Sequence, residues 1–286
     1  MELIELTEEE FKDYADKSSQ ISFHQTKEWG HLKEENGWEM KLIGLKDKNE
    51  IKAATLLLSK MTPIKKKMYY APRGFLIDYN NYDLLKEFTI KIKSYVKKHQ
   101  GIFLKIDPYV PYQQRDKLGK IVENGYNNKE SYNNLIKLGY KHFGFNLMQD
   151  TLQPRWMFIT KTKNRTIDDV MKDMDPKTRQ ILRKNERDLI KCREISYDEL
   201  PLFKDIMQHT GDRRDFIDRP LKYYQDMYKH LDGILKILIA ELNTTELINS
   251  LNEEVNDLTK EYDDRKNKHD QDPTKMNEKK YESKQK

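Results

Sequence analysis

Strand-length apolar runs alternate with segments of helical period, and this alternation constrains the fold more than any other feature of the chain. Glu39–Lys46 and Ile51–Lys60 are two such runs, joined by the turn-like KDKNE, and Met68–Ala71 is a third. Leu84, Leu85, Phe88, Ile92, Tyr95 and Val96 then recur three and four apart, which predicts a helix ending near Gly101. The run GIFLKID follows as a strand, and its end, IDPYVPY, places an acid before two prolines and two tyrosines. Prolines remove backbone donors and fix φ, so they terminate a strand and stiffen what leaves it. Upstream, Thr7-Glu-Glu-Glu10 has the form of a capping box ahead of Phe11, Tyr14 and Ala15. A second helix is expected over Thr26–Asn36, with Trp29 and Leu32 inward and Gly37 as its stop. A helix through Tyr132–Leu138 and strands at YKHFGF and RWMFITK complete this half, so a mixed α/β sheet is predicted rather than a bundle.

The order then restarts. Helical segments at Thr166–Asp188 lead to a strand near Cys192–Ile195, helices at Asp198–His209 and Arg219–Leu231, and a strand at Ile234–Leu242. Phe11 and Phe203 both open a Phe-Lys-Asp triplet, a short echo that suggests a second copy of the same unit. From Asn243, Ile248, Leu251, Val255, Leu258 and Tyr262 form an a/d seam. His269 and Met276 continue it around Pro273, which predicts a helical hairpin turning near Asp272-Pro273. The expected boundaries are 1–165, 166–242 and 243–286. A second sheet this incomplete would expose unpaired edges, so either a fragment or a truncated gene product is expected.

Charged residues make up 35% of the chain against 36% hydrophobic, which implies a polar appendage beside an ordinary core. The net charge of +5 permits an anionic partner without demanding one. Cys192 is the single cysteine, which excludes a disulfide framework or a cysteine metal cluster within the chain. The opening MELIELTEEEF has neither a basic nor an apolar leader segment, and no apolar run reaches spanning length. A cytoplasmic protein is expected, with any membrane contact peripheral.

Triad, zincin, Walker and dinucleotide signatures are absent, and the seven histidines are scattered without metal-like spacing. Three places stand out. Lys33 follows Trp29 by one helical turn, with Trp38 just beyond, and can aim an ammonium into a cleft to hold a phosphate; an exposed helical Lys is the plainer alternative. Arg219 stands before Pro220, near a helix N-terminus that favours anions, with Tyr223 one turn on and Asp218 available as a cap. Arg179, Arg183 and Arg187 share one helix face and can grip a nucleic-acid backbone, or simply form a solvated face.

Together, FHQTKEWGHLKEENGWE, YYAPRGFLIDY, IDPYVPY, LQPRWMFI, the DRP with its tyrosines and the coiled-coil segment resemble the Fem family of peptidoglycan interpeptide-bridge aminoacyltransferases, on its staphylococcal FemA/FemB-like branch. The resemblance implies two acetyltransferase-like (GNAT-like) subdomains, the second incomplete here, with a helical arm. It implies transfer of glycine, serine or alanine from charged tRNA to the bridge of lipid II or its soluble nucleotide precursor, with no cofactor or metal. Lys33, Arg219 and Tyr223, with Trp38, match substrate-cleft positions of the family, the first two at the diphosphate, and Asp107 matches an acid considered as a base. Arg179, Arg183, Arg187 and the arm are then candidates for the tRNA side. Family members continue past the arm with strands and a catalytic lysine that this sequence lacks, so weak or no transfer is expected of the chain alone. A non-catalytic paralogue that binds partners is the alternative. A homo- or hetero-oligomer, and a place at the inner face of the membrane, are compatible with either.

Overall fold

A computed structural model describes residues 1–145, 153–154, 156–187, 189–274, 278–279 and 282. The chain divides into two compact units, Met1–Met157 with Tyr197–Lys236, and Phe158–Ser196 with Ile237–Lys286.

The first unit is built on a five-stranded sheet in which spatial order follows chain order: β1 (Glu2–Glu5), β2 (Glu39–Asp47), β3 (Glu50–Met61), β4 (Lys67–Ala71) and β5 (Gly101–Ile106). The first four pair antiparallel; β4 and β5 are parallel. A parallel neighbour requires a crossover, and α3 (Tyr82–Lys98) supplies it. Asn81 caps α3 by accepting from Leu84 N, and Leu85, Phe88, Ile92 and Val96 fall on its buried face. β3 is buried from Ala53 to Ser59 because both faces of the sheet are covered. Leu57 and Ala53 pack with α3, while Leu56, Leu58 and Ala54 point the other way toward Phe11 and Ala15 of α1 (Glu8–Ala15). The capping box forms as expected: Glu10 N donates to Thr7 Oγ1 and Thr7 N donates to Glu10 Oε2. α2 (Lys27–Glu35) starts at Thr26, whose Oγ1 accepts from Trp29 N, and stops at Gly37, where φ is +75°.

β1 is a strand that the periodicity did not reveal. Four residues with one apolar pair carry too little pattern, and only pairing with β2 defines it. Conversely, the strands expected at YKHFGF and RWMFITK do not form among the described residues: 140–145 and 156–161 carry no ladder. Gly139 and Gly144 turn the chain at φ +86° and +92°, and His142 and Phe145 gather on Tyr132 instead of alternating across a sheet. Tyr132 lies on α4 (Lys129–Lys137). Arg155 of RWMFITK, Asp188 at the end of the helical segment expected over 166–188, and Met276 of the expected return arm lie outside the described residues.

In the second unit, α5 (Ile167–Asp173) and α6 (Pro176–Arg187) precede β6 (Ile190–Glu194), which pairs antiparallel with β7 (Leu238–Leu242). Helices α7 (Leu200–Arg214) and α8 (Leu221–His230) belong to the first unit. The arm is α9 (Thr244–Gln271), begun by the Asn243 cap. Its seam residues Ile248, Leu251, Val255 and Leu258 are 45–59% exposed, so they are available to a partner helix.

Candidate functional site

α8 packs beside α2, and this brings together Lys33, Arg219 and Tyr223. Lys33 Nζ lies 4.2 Å from the Trp29 ring centroid and 5.8 Å from that of Tyr223. The Arg219 guanidinium lies 5.5 Å from the same Tyr223 ring. Two cations thus share one tyrosine, and neither has an acidic partner among the described residues. Burial, and then the Arg219 charge, hold the Lys33 ammonium below the usual lysine range. A half-buried ammonium beside an exposed guanidinium, with no acidic partner for either among the described residues, favours an anionic ligand, which would relieve both effects on Lys33.

Arg219 is held by its neighbours. Gly211, buried at the end of α7, allows the following loop to fold back: a Cβ there would lie 2.8 Å from Phe216 O. Asp218 does not cap α8, whose N-cap is Pro220 with no side-chain bond. Its buried carboxylate instead accepts from Lys204 Nζ (2.6 Å) and from the Tyr224 hydroxyl. Asp218→Asn should therefore destabilise the chain by about 1–2 kcal/mol, read from urea denaturation, because it weakens two charge-assisted bonds.

Asp107 sits at the carboxyl end of β5 with both oxygens engaged. Tyr70 Oη donates to Oδ2 (2.9 Å) and Arg73 N to Oδ1 (2.7 Å). Burial raises its pKa, opposed by those two bonds and by nearby positive charge. Tyr109, from the proline loop, donates its N–H to Arg73 O (3.2 Å), and its ring carries the Arg73 guanidinium at 5.3 Å. The tyrosine-proline segment thus fixes the turn at Pro72–Gly74.

Beside that turn lies His24, its ring 4.6 Å from Trp29 and its Nδ1 3.2 Å from Ser22 Oγ. Burial first, then the Arg73 and Lys33 charges, push its pKa down to about 4. The sign follows directly. Below its ordinary 6.5 the unfolded chain takes a proton that the folded chain refuses until about 4. His24's contribution to stability is complete above that window and declines as pH falls through it. His24→Asn should flatten the acid side of the stability–pH curve relative to the parent, measured by urea midpoints between pH 4 and 7.

The other sequence candidates lie elsewhere. Trp38 is bonded to the end of α2 through its backbone, but its ring packs against the core and carries Lys60 at 5.7 Å. Arg179 spends its guanidinium on carbonyls at the end of α5, those of Met171, Lys172 and Met174. A surface cavity of about 580 Å³ along α6 is lined by Arg179, Arg183, Lys184 and Arg187. Sequence reading did not single out Arg73 and His24; both stand inside quoted motifs, without a spacing that marks them. No cluster of three or more His, Cys, Asp or Glu able to hold a metal occurs among the described residues. No described helix is long and apolar enough to cross a membrane.

The fold is a known one. This mixed α/β architecture with its long C-terminal helix superposes on a solved structure titled "Crystal structure of FemX" with a TM-score of 0.74, covering 100% of this chain and 69% of that one at 24% identity. The chain belongs to the FemAB family, whose model matches residues 6–286. Similar curated relatives include Aminoacyltransferase FemA of Staphylococcus epidermidis, 36% identical over 258 residues, and Aminoacyltransferase FemA of Staphylococcus aureus (strain N315), 35% identical over the same length. Each alignment covers 89% of this chain and 61% of the relative, so the chain spans about three fifths of the relatives it matches.

Proposed function

We propose that this chain carries the acceptor-binding part of an aminoacyltransferase that extends the interpeptide bridge of peptidoglycan. Membership of the FemAB family and likeness to staphylococcal FemA support the reaction class. One observation carries the site: Lys33 and Arg219, with no acidic partner among the described residues, converge on Tyr223. Two cations on an aromatic floor suit a diphosphate, the group that joins a muramyl peptide to its lipid or nucleotide carrier.

The reaction asks little covalent chemistry of the protein. An aminoacyl ester is already activated, so the acceptor amine attacks its carbonyl carbon, a C–N bond forms, and the C–O bond to the tRNA 3′ end breaks. The amine proton leaves and the tRNA hydroxyl takes one up. What a protein supplies is placement of the amine and accommodation of the carbonyl oxygen's developing charge. In this reading Asp107 acts by positioning the Arg73 turn at the cleft, since both its oxygens are engaged. The GNAT-like subdomain assignment at 1–165 and 166–242, with an arm at 243–286, belongs to the same reading. So do charged tRNA as co-substrate, with Arg183 and Arg187 at its backbone, and work at the inner membrane face on lipid II. The acyl group is glycine, serine or alanine.

Calorimetry with the soluble uridine-diphosphate muramyl pentapeptide tests the site. Micromolar-range binding that Lys33→Ala and Arg219→Ala each weaken supports it; unchanged affinity in both variants removes the diphosphate assignment.

A further inference from the structure

The cations of the cleft do not end at Lys33. Gln25, fully buried, joins two turns that each carry a polar group: it donates from Nε2 to Pro72 O (2.7 Å) and accepts at Oε1 from Leu56 N (2.8 Å). His24 precedes Gln25, and Arg73 follows Pro72, so this one amide sets both beside each other. Gly74 completes the fit, because a Cβ there would come within 2.8 Å of Gln25 Nε2. Arg73 itself is held in the left-handed region at φ +54°, its N–H fixed by Asp107 and its guanidinium laid on Tyr109. Such a conformation is costly for a non-glycine residue and is kept where surrounding contacts over-determine it. Among the described residues the guanidinium has no acidic partner within ion-pair distance. Between Lys33 and His24 lies Trp29, whose buried Nε1–H has no acceptor among the described residues. Buried donors are nearly always satisfied, so an orphan one flanked by a lysine and a histidine points to a missing acceptor.

We propose that Arg73 and His24, with the Trp29 N–H, form a second oxyanion-recognising end of this cleft, which takes a carboxylate or phosphate of the ligand held at Lys33 and Arg219. The identity of that ligand rests on the function proposed above; the anion site at Arg73 does not. A neutral His24 suits this place, since it offers a hydrogen bond without adding a further charge to the two cations already near, Arg73 and Lys33.

Three probes separate the possibilities: inorganic pyrophosphate, uridine-diphospho-N-acetylglucosamine, and uridine-diphospho-N-acetylmuramic acid, which adds one lactyl carboxylate. Each is titrated by calorimetry into the parent chain, Arg73→Ala, Arg73→Lys and His24→Asn, with circular dichroism to verify folding. Loss of a charge-assisted contact should weaken binding about tenfold in Arg73→Ala, with partial recovery in Arg73→Lys. If the loss falls on the muramic acid nucleotide alone, Arg73 reads a carboxylate. If it falls equally on both nucleotides and pyrophosphate, Arg73 reads a phosphate. In both cases the bound anion should raise the pKa of His24, seen in its Cε1–H resonance. Pyrophosphate binding without nucleotide binding would remove the muramyl reading and leave the anion site standing. Affinities within twofold of the parent for Arg73→Ala, an unmoved His24 resonance, or no binding of any probe would overturn the proposal.

Discussion

Arg219→Ala should weaken binding of the uridine-diphosphate muramyl pentapeptide by about 10- to 100-fold, and Lys33→Ala by a similar factor. Each substitution removes one charge-assisted contact to a diphosphate in a partly desolvated cleft, on the order of 1.5–3 kcal/mol. The two losses should not add. Lys33 and Arg219 share the Tyr223 ring, and Arg219 contributes to the lowered pKa of Lys33. Removing Arg219 therefore makes the remaining ammonium easier to keep charged, and the double variant should lose less than the sum of the singles. Lys33→Arg keeps the charge but replaces a compact ammonium over Trp29 with a planar fork, so it should recover only part of the affinity. Neither parent side chain has an acidic partner to strand among the described residues, so the variants should fold normally. Added salt should weaken parent binding more than that of either variant.

The second large effect concerns stability. Gln25→Ala should cost about 3–4 kcal/mol of unfolding free energy, measured by urea denaturation. Its amide serves Leu56 N, Leu56 O and Pro72 O inside a fully buried site, and truncation removes all three bonds and leaves a void beside them, although Leu56 O still accepts from Thr55 Oγ1 (3.2 Å). Gln25→Glu should be as harmful, because a carboxylate cannot donate to Pro72 O. Gly74→Ala reaches the same network from the other side, since its methyl would also meet Thr55 Oγ1 at 2.9 Å. The same network positions His24 and Arg73, so milder substitutions at these positions should lower anion affinity along with stability. A Gln25→Ala variant as stable as the parent would show that this amide is not the tie between the two turns.

How much of this was legible beforehand depends on where each signal sits. The α1 capping box, the α3 stripe from Leu85 to Val96 and the long apolar β3 run are local patterns, and local patterns survive in one dimension. β1 carries only Leu3 and Ile4 as its pattern and exists through pairing with β2. The strands expected near Tyr140 and Trp156 have suitable side chains, but glycines at positive φ and an aromatic cluster around Tyr132 take the first of them out of a ladder. Helix position and family motif point to Lys33, Arg219 and Tyr223. Their meeting is a property of α8 packing on α2, which no spacing encodes. Trp38 lies close in sequence yet turns its ring to the core, and Arg179 shares a stripe with Arg183 yet closes the end of α5. Gln25 reads as one polar residue among many in FHQTKEW; only its burial makes it a junction.

A crystal structure of this chain soaked with the uridine-diphosphate muramyl pentapeptide tests the central claim most directly. The account predicts the diphosphate between Lys33 Nζ and the Arg219 guanidinium, over the Tyr223 ring. A ligand bound elsewhere, with those two cations still without an anion, would contradict it.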